Sequence, residues 1–243
     1  MLWPQNTMTA FQGAVGLGYR YLETDVHVSA DRRVVIFHDD QLQNLTDGSG
    51  PVWERSWDEL HLLDAAHHFD PEHGHPLRGR GIGIPLLEEV LATFPDCMLN
   101  IDLKQEGIEQ VLADLITRLR AEDRILVASF HDRRIGRFRE ATRGRVATSA
   151  GPGELAAVVA GARLRRHLDG PADAYQVPDW LARRAGRGWI AAAHNSGKHV
   201  HAWTVNDPSE MHRLLDLGVD GIVTDRPDLL NGVLAERSRL GRS

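Results

Sequence analysis

The chain is poor in cysteine. Cys97 is the single sulfhydryl in 243 residues, so no disulfide can form within it and the fold does not rest on an oxidising compartment. Cys97 stands at the entrance to an apolar run and reads as a buried structural thiol rather than a nucleophile. Long apolar stretches are also missing. No run of about 18 apolar residues is present, which argues against a membrane-spanning helix. The start, Met1-Leu2-Trp3-Pro4-Gln5-Asn6-Thr7, lacks a basic segment followed by an apolar core. It does not read as a secretory leader, and a cytoplasmic location is the expectation. Positive charge is in the minority: 28 Lys and Arg against 34 Asp and Glu give a net charge of −6. Such a surface repels nucleic-acid phosphates, so no nucleic-acid partner is expected. The basic clusters Arg163, Arg165, Arg166 and Arg183, Arg184, Arg187 read as solvated helix faces.

What is present is an alternation. Tyr21-Leu22-Glu23-Thr24-Asp25-Val26-His27-Val28 reads as a strand. So do Val34-Val35-Ile36-Phe37-His38, Met98-Leu99-Asn100-Ile101-Asp102-Leu103 and Ile125-Leu126-Val127-Ala128-Ser129-Phe130. Weaker strands are expected at 145–149, 174–177, 200–205 and 221–224. Helical patterns occupy 9–17, 84–94, 109–121, 133–142 and 209–217. This order means βαβ units and a parallel sheet. Over this length a single (β/α)8 TIM-type barrel spanning residues 1–243 is the leading arrangement, with an open doubly wound sheet second. No internal repeat stands out. Residues 40–84, rich in Gly, Pro and His, interrupt the alternation and read as a loop-rich insertion of the kind that shapes a substrate site.

Certain polar residues sit where an apolar strand has no use for them. Glu23 and Asp25 are two apart on a strand, so both carboxylates point to one face. Two inward carboxylates are costly without a partner, and oxygen-only ligands suit Mg²⁺ or Ca²⁺. Asp102 and Lys104 repeat the spacing; a buried salt bridge is the plainer reading and a site at a strand's C-terminal end the sharper one. His38, just past an apolar run, is placed for proton transfer near neutral pH, or is an ordinary loop histidine. Glu23 and His38 are expected on two parallel strands, although 15 residues leave no room for a full crossover helix. Trp203 is a core residue or a lid over a ligand. Asp225 orients a neighbour or pairs with an arginine.

Taken together, the segments resemble the glycerophosphodiester phosphodiesterase family. The matching pieces are Pro4-Gln5-Asn6-Thr7, Glu23-Thr24-Asp25-Val26, Val35-Ile36-Phe37-His38-Asp39, Ile84-Pro85-Leu86-Leu87-Glu88-Glu89-Val90, Asn100-Ile101-Asp102-Leu103-Lys104, Ser129-Phe130, Trp203-Thr204-Val205-Asn206 and Gly221-Ile222-Val223-Thr224-Asp225-Arg226-Pro227. Each is weak alone; in family order over nearly the whole chain they are specific.

The resemblance implies a barrel with a divalent cation, Mg²⁺ or Ca²⁺, at its mouth. It implies Glu23, Asp25 and Asp102 as metal ligands and His38 as one of two catalytic histidines. Lys104 holds a phosphate oxygen in this picture, Phe130 and Trp203 contact substrate, and Asn6 and Asp225 orient the groups beside them. The implied reaction is metal-dependent hydrolysis of a small glycerophosphodiester to glycerol phosphate and an alcohol, a step of glycerol and lipid metabolism. A lysophospholipid-cleaving relative and an inactive phosphate- or metal-binding barrel are the alternatives, and residues 63–82 look like the insertion of branches with lipid-like substrates. The chain departs from the pattern in three places. No His-Arg-Gly precedes Pro4, so the barrel is expected to lack its first strand here, with impaired activity and an open edge through which it can oligomerise. Gln5 and Asp102 stand where the family usually has Glu.

Overall fold

The computed structural model describes residues 1–163 and 170–240; Arg165 and Arg166 lie outside them. The described chain falls into two compact units, residues 1–129 with 133–147, and residues 130–132 with those from 148 onward.

The first unit opens with helix α1, Met8–Gly16. Thr7 starts it: its hydroxyl accepts from the Ala10 N–H at 3.2 Å, satisfying one of the amides a helix start leaves unpaired. Strand β1, Tyr21–Val28, follows, then β2, Val34–Ile36. These two are antiparallel, with Val26 opposite Ile36 and Val28 opposite Val34. The expectation that His38 ends a second parallel strand is therefore corrected. The short link after Val28 can only turn back, because a parallel return needs a crossover of a dozen residues or more. Strands β3, Met98–Leu103, and β4, Ile125–Ala128, run parallel to β1 in turn. With β5, Ala147–Thr148, the sheet order is β2-β1-β3-β4-β5.

Alternation sorts the side chains of this sheet. Leu22, Val26, Leu99, Ile101, Leu103, Ile125 and Val127 point to one face and are buried with Phe11, Ile116 and Phe138 in one apolar cluster. The other face carries Glu23, Asp25, His27, Asn100 and Asp102. Burying the first set drives the sheet onto its helices, and the polar set is thereby committed to the opposite side.

Between β2 and β3 the chain is loop-rich, as expected, with short 3₁₀ turns and a four-residue helix α2, Trp57–Leu60. It is not structureless. Leu42, Val52 and Leu60 from this stretch pack with Val35, Phe37, Ile84 and Leu86 into a second apolar cluster. Helix α3, Leu87–Thr93, starts after Pro85 and not at 84, since the residue before a proline is kept from helical geometry. Helix α4, Glu109–Leu119, precedes β4. Helix α5, Asp132–Thr142, follows β4 and lies where the periodicity placed it.

The second unit carries helix α6, Pro152–Arg163, and β6, Ala174–Pro178, then helix α7, Asp179–Asn195, and β7, His199–Trp203. It continues with helix α8, Pro208–Leu217, β8, Gly221–Ile222, and helix α9, Pro227–Arg239. The three strands form a parallel sheet in the order β6-β7-β8. Helices α6, α7 and α9 are not evident from periodicity. In α7 the reason is visible: Gly186 is non-helical, with φ 73°, and breaks the apolar phase in mid-helix. Among the described residues no helix is long and apolar enough to cross a membrane.

Candidate active site

On the polar face of the first unit, the register sets Asp25 directly opposite Asp102. Both are 6% exposed. Lys104 lies two residues beyond Asp102 on the same face, and its Nζ bridges the pair, 3.0 Å from Asp25 Oδ1 and 2.8 Å from Asp102 Oδ2. The chain has two lysines, 104 and 198, among its 28 basic residues. A compact ammonium can sit between two carboxylates where a planar guanidinium would demand more room. Burial opposes the Lys104 charge, but Asp25 and Asp102 outweigh it and its pKa is raised. Burial also pushes the Asp102 carboxyl above the carboxylate range; Lys104 opposes this and the Asp25 charge adds to it. Glu23 is one pair back on the same face, opposite Asn100, and is exposed. Among the described residues, no three His, Cys, Asp or Glu side chains are grouped so as to hold a metal ion.

Asp25 is positioned from outside its strand. Asn6, at φ 58°, donates from Nδ2 to Asp25 Oδ2 at 2.7 Å. Its Oδ1 accepts from the Thr24 hydroxyl at 2.7 Å and from the Asp25 N–H at 3.3 Å. The strand end is closed by Arg134, which donates to the carbonyls of Leu103 and Lys104, each at 2.9 Å. Gln105 accepts from the Val28 N–H at 2.9 Å. Neither Gln105 nor Arg134 is suggested by the motifs.

His38 lies just past the hairpin. The Phe37 N–H donates to the Asp25 carbonyl at 3.0 Å, so His38 begins one residue past the point where its strand touches Asp25. Its Nδ1 pairs with Asp39 Oδ1 at 2.5 Å, and Asn44 donates to Asp39 Oδ2 at 2.8 Å. Burial raises the Asp39 carboxyl, but the hydrogen bonds from His38 and Asn44 outweigh it and its pKa is lowered. An ionised Asp39 fixes the proton on Nδ1 and leaves Nε2 as the atom able to take one. His27, two past Asp25 on the same face, is fully buried with its ring 6.1 Å from that of Trp53. Burial lowers its pKa, so it stays neutral near pH 7.

In the second unit, Phe130 and Trp203 meet edge to face, with centroids 5.4 Å apart at 80°; Phe130 is 56% exposed. The Asn6 arrangement recurs here. Asn206 donates from Nδ2 to Asp225 Oδ2 at 2.9 Å, and its Oδ1 accepts from Thr224 Oγ1 and from the Asp225 N–H, each at 2.9 Å. Asn6, Gly18, Thr24 and Asp25 have counterparts 200 positions on at Asn206, Gly218, Thr224 and Asp225. The reading that no internal repeat exists is corrected: one asparagine–helix–glycine–strand–Thr-Asp unit is used twice. It is hard to see in the sequence because the hydrogen bonds need few identities and the helix between is free to vary.

One polar atom of the carboxylate face is left unsatisfied. Asp102 Oδ1 is buried and has no hydrogen-bond partner among the described residues. Asp25, Asp102 and Lys104 together leave one negative charge on that face, before Glu23 is added. A buried acceptor of this kind is unfavourable until something occupies it.

Residues 1–229 match the model of the glycerophosphoryl diester phosphodiesterase family. A Mycobacterium tuberculosis protein named "Probable glycerophosphodiester phosphodiesterase 2" is 38% identical over 248 residues, covering 96% of this chain and 86% of its own length. Among solved structures, a glycerophosphodiester phosphodiesterase from Agrobacterium tumefaciens superposes with a TM-score of 0.79 at 25% identity, covering 95% and 94% of the two chains. An Oleispira antarctica phosphodiesterase in complex with sn-glycerol-3-phosphate gives 0.73 at 25% identity, covering 96% and 92%. The fold class is the α/β, TIM-type barrel of these neighbours, and the enzyme class is phosphoric diester hydrolase. The chain belongs to the glycerophosphoryl diester phosphodiesterase family.

Proposed function

We propose that this chain hydrolyses glycerophosphodiesters to glycerol phosphate and an alcohol, with Glu23, Asp25 and Asp102 holding a divalent cation, Mg²⁺ or Ca²⁺. The observation that carries this reading is the Asp25–Lys104–Asp102 pairing, with an Asp102 oxygen that has no hydrogen-bond partner among the described residues. When bound, the cation offsets charge on the phosphoryl oxygens and polarises the phosphorus centre.

The chain's own residues do the rest. Lys104 brings a fixed ammonium to the buried face and holds a phosphoryl oxygen. Asn6 holds the Asp25 carboxylate through its Nδ2 and is itself fixed by the Thr24 hydroxyl and the Asp25 N–H. His38, with Nδ1 tied to Asp39, uses Nε2 to take a proton from the attacking hydroxyl or to return one to the leaving alcohol. The Oleispira antarctica neighbour's bound product supports glycerol phosphate as the retained half.

The test is turnover of glycerophosphocholine with Mg²⁺ or Ca²⁺, compared with His38→Ala. We expect the variant to lose roughly 10²–10⁴-fold of rate while its circular dichroism and cation affinity stay at wild-type values. Wild-type turnover in His38→Ala would remove His38 from the reaction. No turnover by the wild type with any divalent cation would remove the reaction itself.

A further inference from the structure

We infer that the outer face of α6 and the first turns of α7 dock on an anionic lipid surface, with the α6 stripe and Trp180 against its acyl boundary and Arg184 on its head groups. The contact is separate from Asn6, Glu23, Asp25, His38, Asp102 and Lys104, which all lie in the first unit.

A helix on a protein surface ordinarily sets a polar face against its apolar one. Helix α6 does not. From Pro152 to Ala162 the one charged residue is Glu154, and its carboxylate accepts from the Ala172 N–H at 3.2 Å. Val158 is buried on the inner side. Pro152, Leu155, Ala156, Val159 and Ala160 recur at helical spacing and, with Leu181 of α7, line a groove of about 410 Å³ within the second unit. Every residue of that lining is apolar. Leu155, Val159 and Leu181 are half-buried, while Pro152, Ala156 and Ala160 are exposed. A contiguous apolar patch left open to water marks a contact surface.

Helix α7 supplies the edge of the patch. Trp180 adjoins Leu181 and is 56% exposed. Arg184 lies one turn beyond both, so the three share a surface. Arg183 is engaged elsewhere, 3.2 Å from Asp179 and 3.2 Å from Glu210. Arg184 is exposed and has no ion-pair partner among the described residues. The helix holds three arginines against one aspartate, in a chain of net charge −6. An exposed indole, an apolar groove and an unengaged guanidinium side by side match the boundary between acyl chains and anionic head groups. There the indole keeps its body dry and its N–H wet, and the arginine meets phosphate.

A second copy of the chain suits the patch less well. A stable interface takes about 20–30 residues a side, and the groove with Trp180 and Arg184 offers far fewer. In a two-fold contact the same surface stands on both sides, so Arg184 meets a patch that is again positive.

The experiment is co-sedimentation of the full chain with vesicles of phosphatidylcholine, with and without phosphatidylglycerol. We expect the wild type to favour the phosphatidylglycerol vesicles roughly tenfold, and Arg184→Glu to abolish that preference. Trp180→Ala and Ala160→Asp should each weaken binding several-fold. Ala160 is exposed, so the fold tolerates the carboxylate; far-UV circular dichroism checks it, and Trp180→Ala adds no charge at all. Turnover of soluble glycerophosphocholine should match the wild type in all three variants. Equal partition onto both vesicles, binding to neither, or wild-type binding by the folded variants would overturn the inference. Self-association that the same variants abolish would give the groove to a second copy and overturn it too. A wild type that binds phosphatidylglycerol vesicles but cleaves no diester would overturn the proposed reaction and leave the lipid contact standing.

Discussion

Asp102 is the residue at which burial and function pull apart. Its carboxylate is buried beside another carboxylate, one ammonium stands between them, and one of its oxygens has no hydrogen-bond partner among the described residues. Burial raises its folded-state pKa above the unfolded value, so the folded chain holds the proton more tightly. That contribution to stability is fully present below the ordinary carboxylate range and is lost as pH rises through the raised value. We therefore expect the cation-free wild type to lose stability relative to Asp102→Asn as pH rises from about 4, read as urea midpoints of the two proteins. Asp39 and Glu88 have lowered pKa values and slope the other way, but they cancel in the comparison. Parallel curves would show that the Asp102 carboxylate is not the costly group. At this scale the sequence was informative. The two-residue spacings of Glu23 with Asp25 and of Asp102 with Lys104 put polar groups on one face of apolar strands. It was silent on Gln105, Arg134 and Asn44, because loop residues that bond backbone or each other leave no periodic trace.

The elements show where spacing misleads. Five residues between β1 and β2 set a hairpin, and the apolar run Val34 to Phe37 looks the same whether its strand runs up or down. The hairpin nonetheless ties Phe37 to Asp25 through a backbone bond, with His38 next in the chain. The insertion, read as loop because of its Gly and Pro content, carries its own apolar cluster around Leu60, which is 0% exposed. We expect Leu60→Ala to cost about 2–5 kcal/mol in a local opening of residues 40–84, measured by hydrogen exchange, with the amides of β3 and β4 protected as before. Loss of protection across the whole first unit would mean that the insertion and sheet unfold together.

For the molecule as a whole, the cation reading has a thermodynamic consequence. A ligand that binds only the folded chain stabilises it by about 2.7 kcal/mol at 100 times its Kd. In a chain of this size that is roughly 5–10 °C in Tm. We expect Mg²⁺ or Ca²⁺ to raise Tm by this order, and Glu23→Gln or Asp25→Asn to reduce the shift sharply; calorimetry with and without chelator decides it. An unchanged Tm across millimolar cation would count against a bound metal at these residues.

The sequence by itself determined the alternation of strand and helix, the family and the face on which Glu23, Asp25, Asp102 and Lys104 lie. Those follow from side-chain periodicity and from residues quoted in order along the chain, which are local properties. Only the tertiary structure decided the register that sets Asp25 against Asp102, the antiparallel course of β2, the shared use of the Asn–Thr–Asp arrangement at 6–25 and 206–225, and the apolar groove between α6 and α7. Each depends on groups far apart in the chain being brought within hydrogen-bond or van der Waals reach, and linear spacing does not encode that distance.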